Sequence, residues 1–163
     1  MRKEVRMNEH LELWSKDDGV GTPYPLLAHL LDSATVAEVL FDLWLRDGLR
    51  DLLQQELGEH ARRIVQFVVG SHDIGKASPI FQMQYRRDDD HWRRIREVID
   101  GSGFYGQIPV GSPLRDFDNK FARRHEQWSA YCVAGGFLSS SDEARDRWHA
   151  LAALGHHGYF SLG

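Results

Sequence analysis

Gly70-Ser71-His72-Asp73-Ile74-Gly75-Lys76-Ala77 is the stretch on which the fold turns. Taken as G-x-x-x-x-G-K-[ST], it would be a phosphate-binding loop between a strand and a helix, and the chain around it would be α/β. Ala77 argues against that, because it lacks the hydroxyl that such a loop places on Mg²⁺, and Ser78 comes one residue too late. His72 and Asp73 are also bulky for a loop that wraps phosphates. The segment before it, 59–70, carries Ala61, Ile64, Val65, Val68 and Val69 at spacings of three and four, which predicts a helix despite its β-branched tail. The other reading of the stretch is metal. Adjacent His and Asp at a helix end can both turn toward one ion if the backbone leaves helical geometry there, and Gly75 permits such a bend.

Outward from this point the chain reads as helices. Pro25 at a first helical position opens a helix that runs to Asp47, with Gly48 as its stop. Leu27, Leu30, Leu31, Ala34, Ala37, Phe41, Trp44 and Leu45 mark its core face. A short helix, 49–57, closes at Gly58. Ser78-Pro79 caps a helix through Tyr85, and the charge run 86–96 reads as a solvated face. Glycines and prolines make 101–118 a long loop. A further helix spans 121–133, and Ser140 with Glu143 opens a last one through Leu154, before Gly155 and Gly158 bracket a His pair. Residues 1–13 are peripheral, 17–23 form a loop, and no linker or repeat divides the chain. The prediction is an all-α single domain over 1–163.

Composition narrows the function. The 163 residues are enough for a buried core. The lone Cys132 excludes a disulfide scaffold and fits a reducing cytoplasm. Residues 1–16 are too charged for a signal peptide, and no apolar run nears the roughly 18 residues that span a bilayer, so no membrane partner is expected. A net charge of −4 argues against a nucleic-acid binder that works by bulk attraction, and leaves phosphate to a local basic patch or to metal ions.

Nine histidines are the unusual count. Single dipeptides carry little, since about 0.8 His-Asp and about 0.4 His-His pairs are expected by chance, but His72-Asp73-x-Gly75-Lys76 as a unit is expected only about 0.002 times. His29 lies beside the apolar stripe of the first helix, and His125 falls at helical spacing with Phe121, Trp128 and Cys132; each alone reads as a core histidine. His156 and His157 could not converge from a regular helix, where neighbours differ by about 100°, but could do so from a glycine turn. His10, His60, His91 and His149 sit in polar surroundings and are assigned no role.

In order, these residues resemble the HD superfamily of metal-dependent phosphohydrolases, and more closely the nuclease domain of the CRISPR-associated type I helicase-nuclease, the Cas-three family. The residues that carry the resemblance are Trp14-Ser15-Lys16, the stretch from Tyr24 to Asp32, His72-Asp73-Ile74-Gly75-Lys76 followed by Phe81-Gln82, Arg124-His125-Glu126 and Gly155-His156-His157-Gly158. The Trp-x-Lys start and the Pro-Leu-Leu-x-His-Leu-Leu-Asp helix look specific to the type I-E branch.

The resemblance implies a helical HD-domain bundle with a metal site between helices, acting as an endo- or exonuclease on single-stranded DNA in CRISPR interference, an antiviral defence. It implies that His29, His72 and Asp73 hold one ion, and that Asp73 bridges to a second held by His125, His156 and His157. Mixed imidazole and carboxylate donors favour Mn, Fe, Ni, Co or Zn over Mg. Asp73 and Lys76 become the catalytic residues, Lys76 by adding positive charge near the phosphate. Arg123 and Arg124 are the better local candidates for contacting DNA, ahead of a track through Arg86, Arg87, Arg93, Arg94 and Arg96. The partners implied are a helicase domain in the same or another chain and a guide-RNA surveillance complex. The family pattern adds a ligand Asp tens of residues past the His pair, whereas the chain stops six residues after His157, so a domain truncated at its C-terminus is expected. The same ligands would also serve an HD enzyme acting on nucleotides, and a fragment without that Asp could instead be a silent docking module.

Overall fold

In the computed structural model, residues 13–16, 23–84, 89–101, 124–133 and 152–157 are described. Helix α1 (Leu26–Leu43) follows Pro25, which caps it in an extended conformation (φ −60°, ψ 136°), so the first helical residue comes one later than predicted. Its inward line is Leu26, Leu30, Ala34, Ala37 and Phe41. Leu27, Leu31 and Trp44, predicted to face the core, are exposed, Trp44 at 82%. The reason lies in the partner helix α3: Ala34 sits so close to Gly70 that a Cβ on Gly70 would fall 2.9 Å from the Ala34 Cβ. That contact turns α1 about the 30/34/37/41 line.

Helix α1 stops four residues earlier than predicted. Beyond Phe41 nothing on it is buried, so continuing would gain no apolar burial. The N–H groups of Trp44 and Leu45 both donate to Leu40 O, at 3.0 and 2.9 Å, and the chain reverses. Helix α2 (Asp47–Leu57) starts at the residue expected to end α1, with Asp47 at the positive end of its dipole and Gly48 inside its first turn. Gly58 ends α2 with φ 69°, as its sequence position predicts. A 3₁₀ turn, Gly58–His60, leads into α3 (Ala61–Gly70), which resolves the β-branched segment as helix.

After α3 the backbone bends through Ser71–Asp73 and forms a 3₁₀ turn, Ile74–Ala77. Ser78 then caps α4 (Pro79–Gln82), its Oγ accepting from Phe81 N–H. Helix α4 ends at Gln82; Tyr85, its predicted end, lies outside the described residues. Helix α5 (Asp89–Gly101) corrects the reading of 86–96 as a solvated face: Arg93 and Arg96 are exposed, but Ile95 and Ile99 are buried against Trp14. The charge run masks this face because its apolar line extends past 96 to Ile99, and the helix runs on to Gly101, the expected start of a loop. Helix α6 (His125–Cys132) follows Arg124, and 152–154 is helical before the 155–157 turn. The rest of the predicted loops and of the last helix, with its Ser140 cap, falls outside the described residues.

Two short strands were not anticipated. β1 (Trp14–Lys16) pairs antiparallel with β2 (Tyr24–Pro25), and Leu26 N–H donates to Leu13 O at 2.7 Å. Leu13 is therefore tied to α1, not peripheral. Among the described residues the fold is an all-α bundle carrying one two-stranded ribbon, and no helix is long and apolar enough to cross a membrane.

Candidate metal centre

Four parts of the fold converge on Asp73. His29 comes from the second turn of α1, His72 and Asp73 from the bend after α3, His125 from the first position of α6, and His156 and His157 from the 155–157 turn. Asp73 Oδ2 is 2.9 Å from His29 Nε2 and 3.3 Å from His72 Nε2. Asp73 Oδ1 is 3.1 Å from His125 Nε2 and 3.2 Å from His156 Nε2. His157 Nε2 completes the cluster, 3.0 Å from His125 Nε2. Two donor groups result, His29/His72/Asp73 and Asp73/His125/His156/His157, each with its ligand atoms within 4.8 Å of one another. Two metal–ligand bonds of about 2.0–2.2 Å nearly bridge that span.

Hydrogen bonding tests the fit. His72 Nδ1 lies 2.7 Å from Val69 O and His156 Nδ1 2.6 Å from Ala153 O. A carbonyl only accepts, so each Nδ1 carries the hydrogen, and in the neutral ring each Nε2 turns a lone pair toward the carboxylate. Two lone pairs that face each other repel unless a cation stands between them. Asp73 Oδ1 and His156 Nε2 are buried with no hydrogen-bond partner. The donor set therefore suits a divalent transition metal, and a lone proton is the alternative occupant.

The electrostatics agree. Burial would raise the Asp73 carboxyl, but His125, His156, His72 and Lys76 hold it far below the usual carboxylate range, so it stays ionised. Burial and the charges of Lys76 and Lys16 keep His29 below its ordinary value, against the pull of Asp73. His157 is lowered by burial and by its two histidine neighbours. His156 is raised: facing Asp73 and bonding Ala153 O outweigh its burial.

Lys76, on the 3₁₀ turn, points its Nζ at Asp73 Oδ2 from 2.7 Å and lies over the Phe81 ring. The stretch thus forms no phosphate loop: α3 precedes it in place of a strand, and its lysine is committed to the aspartate. Gly75 keeps a negative φ, so it does not make the bend as expected. Its missing side chain serves another end, since a Cβ there would overlap His125 O and Ser129 N, and its N–H donates to the buried Ser129 Oγ at 2.8 Å. Arg124 is exposed at the start of α6; Arg123 lies outside the described residues. Arg93 and Arg96 of the alternative track pair with Asp90 and Asp100 along α5. His60 is exposed beside Glu59, and His91 is buried in α5 away from the cluster.

A scaffold of residues without a predicted role stands behind the site. Gln82, fully buried, accepts from Trp14 N–H (3.0 Å) and donates to Trp14 O (2.8 Å) and Lys76 O (2.6 Å), while the Trp14 indole N–H donates to Gln82 O (3.0 Å). Trp14 stacks on Phe81 at 4.7 Å, and Phe81 meets the His125 ring at 5.3 Å. The only sequence signal for this clamp was the presence of Trp14 and Phe81-Gln82 among the family-like residues.

The HD-domain family model described as "Cas3, HD domain" matches residues 14–162. A CRISPR-associated nuclease/helicase Cas3 of Streptococcus thermophilus is 30% identical over 144 residues, which are 82% of this chain and 14% of the relative. A CRISPR-associated endonuclease/helicase Cas3 of Thermus thermophilus is 38% identical over 108 residues, 64% of this chain and 10% of the relative. The chain therefore spans a small part of the length of these relatives. No solved structure matches it significantly.

Proposed function

Because the chain belongs to the Cas3 HD-domain family, we propose that its His–Asp cluster holds two divalent transition-metal ions and hydrolyses phosphodiester bonds of single-stranded DNA, the nuclease step of CRISPR interference. The observation that carries this reading is the sharing of one buried carboxylate: Asp73 turns Oδ1 to one group of imidazoles and Oδ2 to the other. His29, His72 and Asp73 would hold one ion, and Asp73, His125, His156 and His157 the other. Imidazole-rich donors favour Mn²⁺, Fe²⁺, Ni²⁺, Co²⁺ or Zn²⁺. When bound, such ions act as Lewis acids that lower the pKa of water and neutralise charge on a phosphate.

The chain's own groups supply the rest. Val69 O and Ala153 O hold His72 and His156 in the tautomer that offers Nε2. Lys76 keeps Asp73 compensated and provides a fixed positive charge beside the reacting phosphate. Arg124, and Arg123 before it in sequence, would contact the DNA backbone. A helicase motor and a guide-RNA surveillance complex are the proposed partners, in the cytoplasm.

The test is cleavage of circular single-stranded DNA by anaerobically loaded protein. Mn²⁺-dependent cutting that His72→Ala and Asp73→Ala abolish is expected. Hydrolysis of small nucleotides with the DNA left intact would assign the site to a nucleotide phosphohydrolase instead. Binding no metal would leave a docking module.

A further inference from the structure

We infer that Lys16 is a phosphate-binding residue on the His29 side of the centre, gripping a non-bridging oxygen of the nucleic-acid backbone as the strand enters the site. The inference rests on the nuclease reading above. Its first support is rigidity. Trp14, two residues earlier, is locked to Gln82 through both its backbone groups and its indole. Ser15 Oγ donates to Tyr24 O at 3.3 Å, and Lys16 pairs with Tyr24 across the ribbon. Burial falls away within three residues, from buried Trp14 and Ser15 to exposed Lys16, so a fixed backbone presents one free cationic side chain.

Position is the second support. Tyr24, the strand partner of Lys16, sets its ring edge-on to His29 with centroids 6.4 Å apart. His29 is the cluster member on this edge, so the ribbon places Lys16 one residue pair away from a cluster histidine.

The third support is that no described carboxylate pairs with Lys16. Asp32, nearly one turn along α1 from His29, is engaged by the Tyr24 hydroxyl. Among the described residues, half-buried Arg62 pairs with Asp42 and Glu38, and exposed Arg93 with Asp90. Lys16 makes no ion pair among the described residues. A chain of net charge −4 cannot gather a polyanion by bulk attraction, so a cation beside the centre with no ion-pair partner among the described residues is where an anion gains most. Lysine is a compact point charge that suits a phosphate read without regard to base sequence.

The experiment compares Lys16→Ala and Lys16→Arg on Mn²⁺-loaded protein, with a labelled single-stranded oligodeoxynucleotide, over a series of salt concentrations. Arg63→Ala is the control, an equal loss of charge on an exposed face of α3, about 10 Å along the helix from its C-terminal Gly70. Lys16→Ala should raise KM by about 5–10-fold with kcat within about twofold, and should flatten the slope of log affinity against log salt by about 0.7, the loss of one single-strand phosphate contact. Lys16→Arg should restore both, and Mn²⁺ titration should be the same in all variants. A slope change in Lys16→Ala no larger than in Arg63→Ala, or no rescue by arginine, overturns this inference alone, provided the wild type cleaves. A wild type that binds Mn²⁺ but neither retains nor cuts the oligonucleotide overturns the nuclease reading, and this with it.

Discussion

At the residue scale, the chemistry comes down to who occupies the space between Asp73 and the imidazoles. In the metal-free protein His156 is the group held above its ordinary value, so a proton takes that place. The stability it contributes is fully present below its unfolded value, near 6.5, and is lost as pH rises through the raised folded value. His29 and His157 are lowered and have the opposite sign: their contribution is lost as pH falls below about 6.5 through their depressed values. A metal must displace the His156 proton, so thermal stabilisation by Mn²⁺ should be larger near pH 8 than near pH 6. Melting curves with and without Mn²⁺ at the two pH values check this. Gln82→Leu keeps the volume but removes the side-chain hydrogen bonds that Gln82 makes to Trp14 N–H, Trp14 O and Lys76 O, which should cost roughly 2–5 kcal/mol in urea denaturation. The histidines were legible because their order and company are improbable by chance. Gln82 and Ser129 were not, because a buried polar side chain follows no periodic rule and its role depends on partners distant in sequence.

At the element scale, Gly75 sets how closely the 3₁₀ turn approaches α6. A methyl group there would push α6, and His125 with it, away from Asp73. Gly75→Ala should cost about 1–3 kcal/mol, the usual penalty of overpacking. It should also weaken Co²⁺ binding at the His125 group more than at the His29/His72 group, which a Co²⁺ absorption titration would resolve. Helices α2 and α3 were readable from apolar spacing and from Gly58. The end of α1 was not, since Trp44 and Leu45 continue the apolar pattern although Trp44 is exposed and the helix has already ended at Leu43. Helix α5 was obscured for the opposite reason: its arginines and aspartates outnumber the two isoleucines that anchor it. The β1–β2 ribbon is too short for alternation to register.

At the scale of the whole molecule, the centre is a staple. Its donors come from α1, the bend after α3, α6 and the 155–157 turn, which are 44 residues apart at His29 and Asp73 and 32 apart at His125 and His157. An ion bound there links elements that the unfolded chain cannot bring together. Metal at a hundredfold excess over its dissociation constant should add about 2.7 kcal/mol and raise Tm by roughly 5–10 °C, and EDTA should reverse the change. If Asp73 is shared by two ions, metal stoichiometry must show it. Anaerobic Mn²⁺ or Co²⁺ loading followed by elemental analysis should find two ions per wild-type chain, one in His125→Ala and none in Asp73→Ala. Folded wild type that holds one ion or none, or an Asp73→Ala variant that holds as much as the wild type, would rule out a shared Asp73.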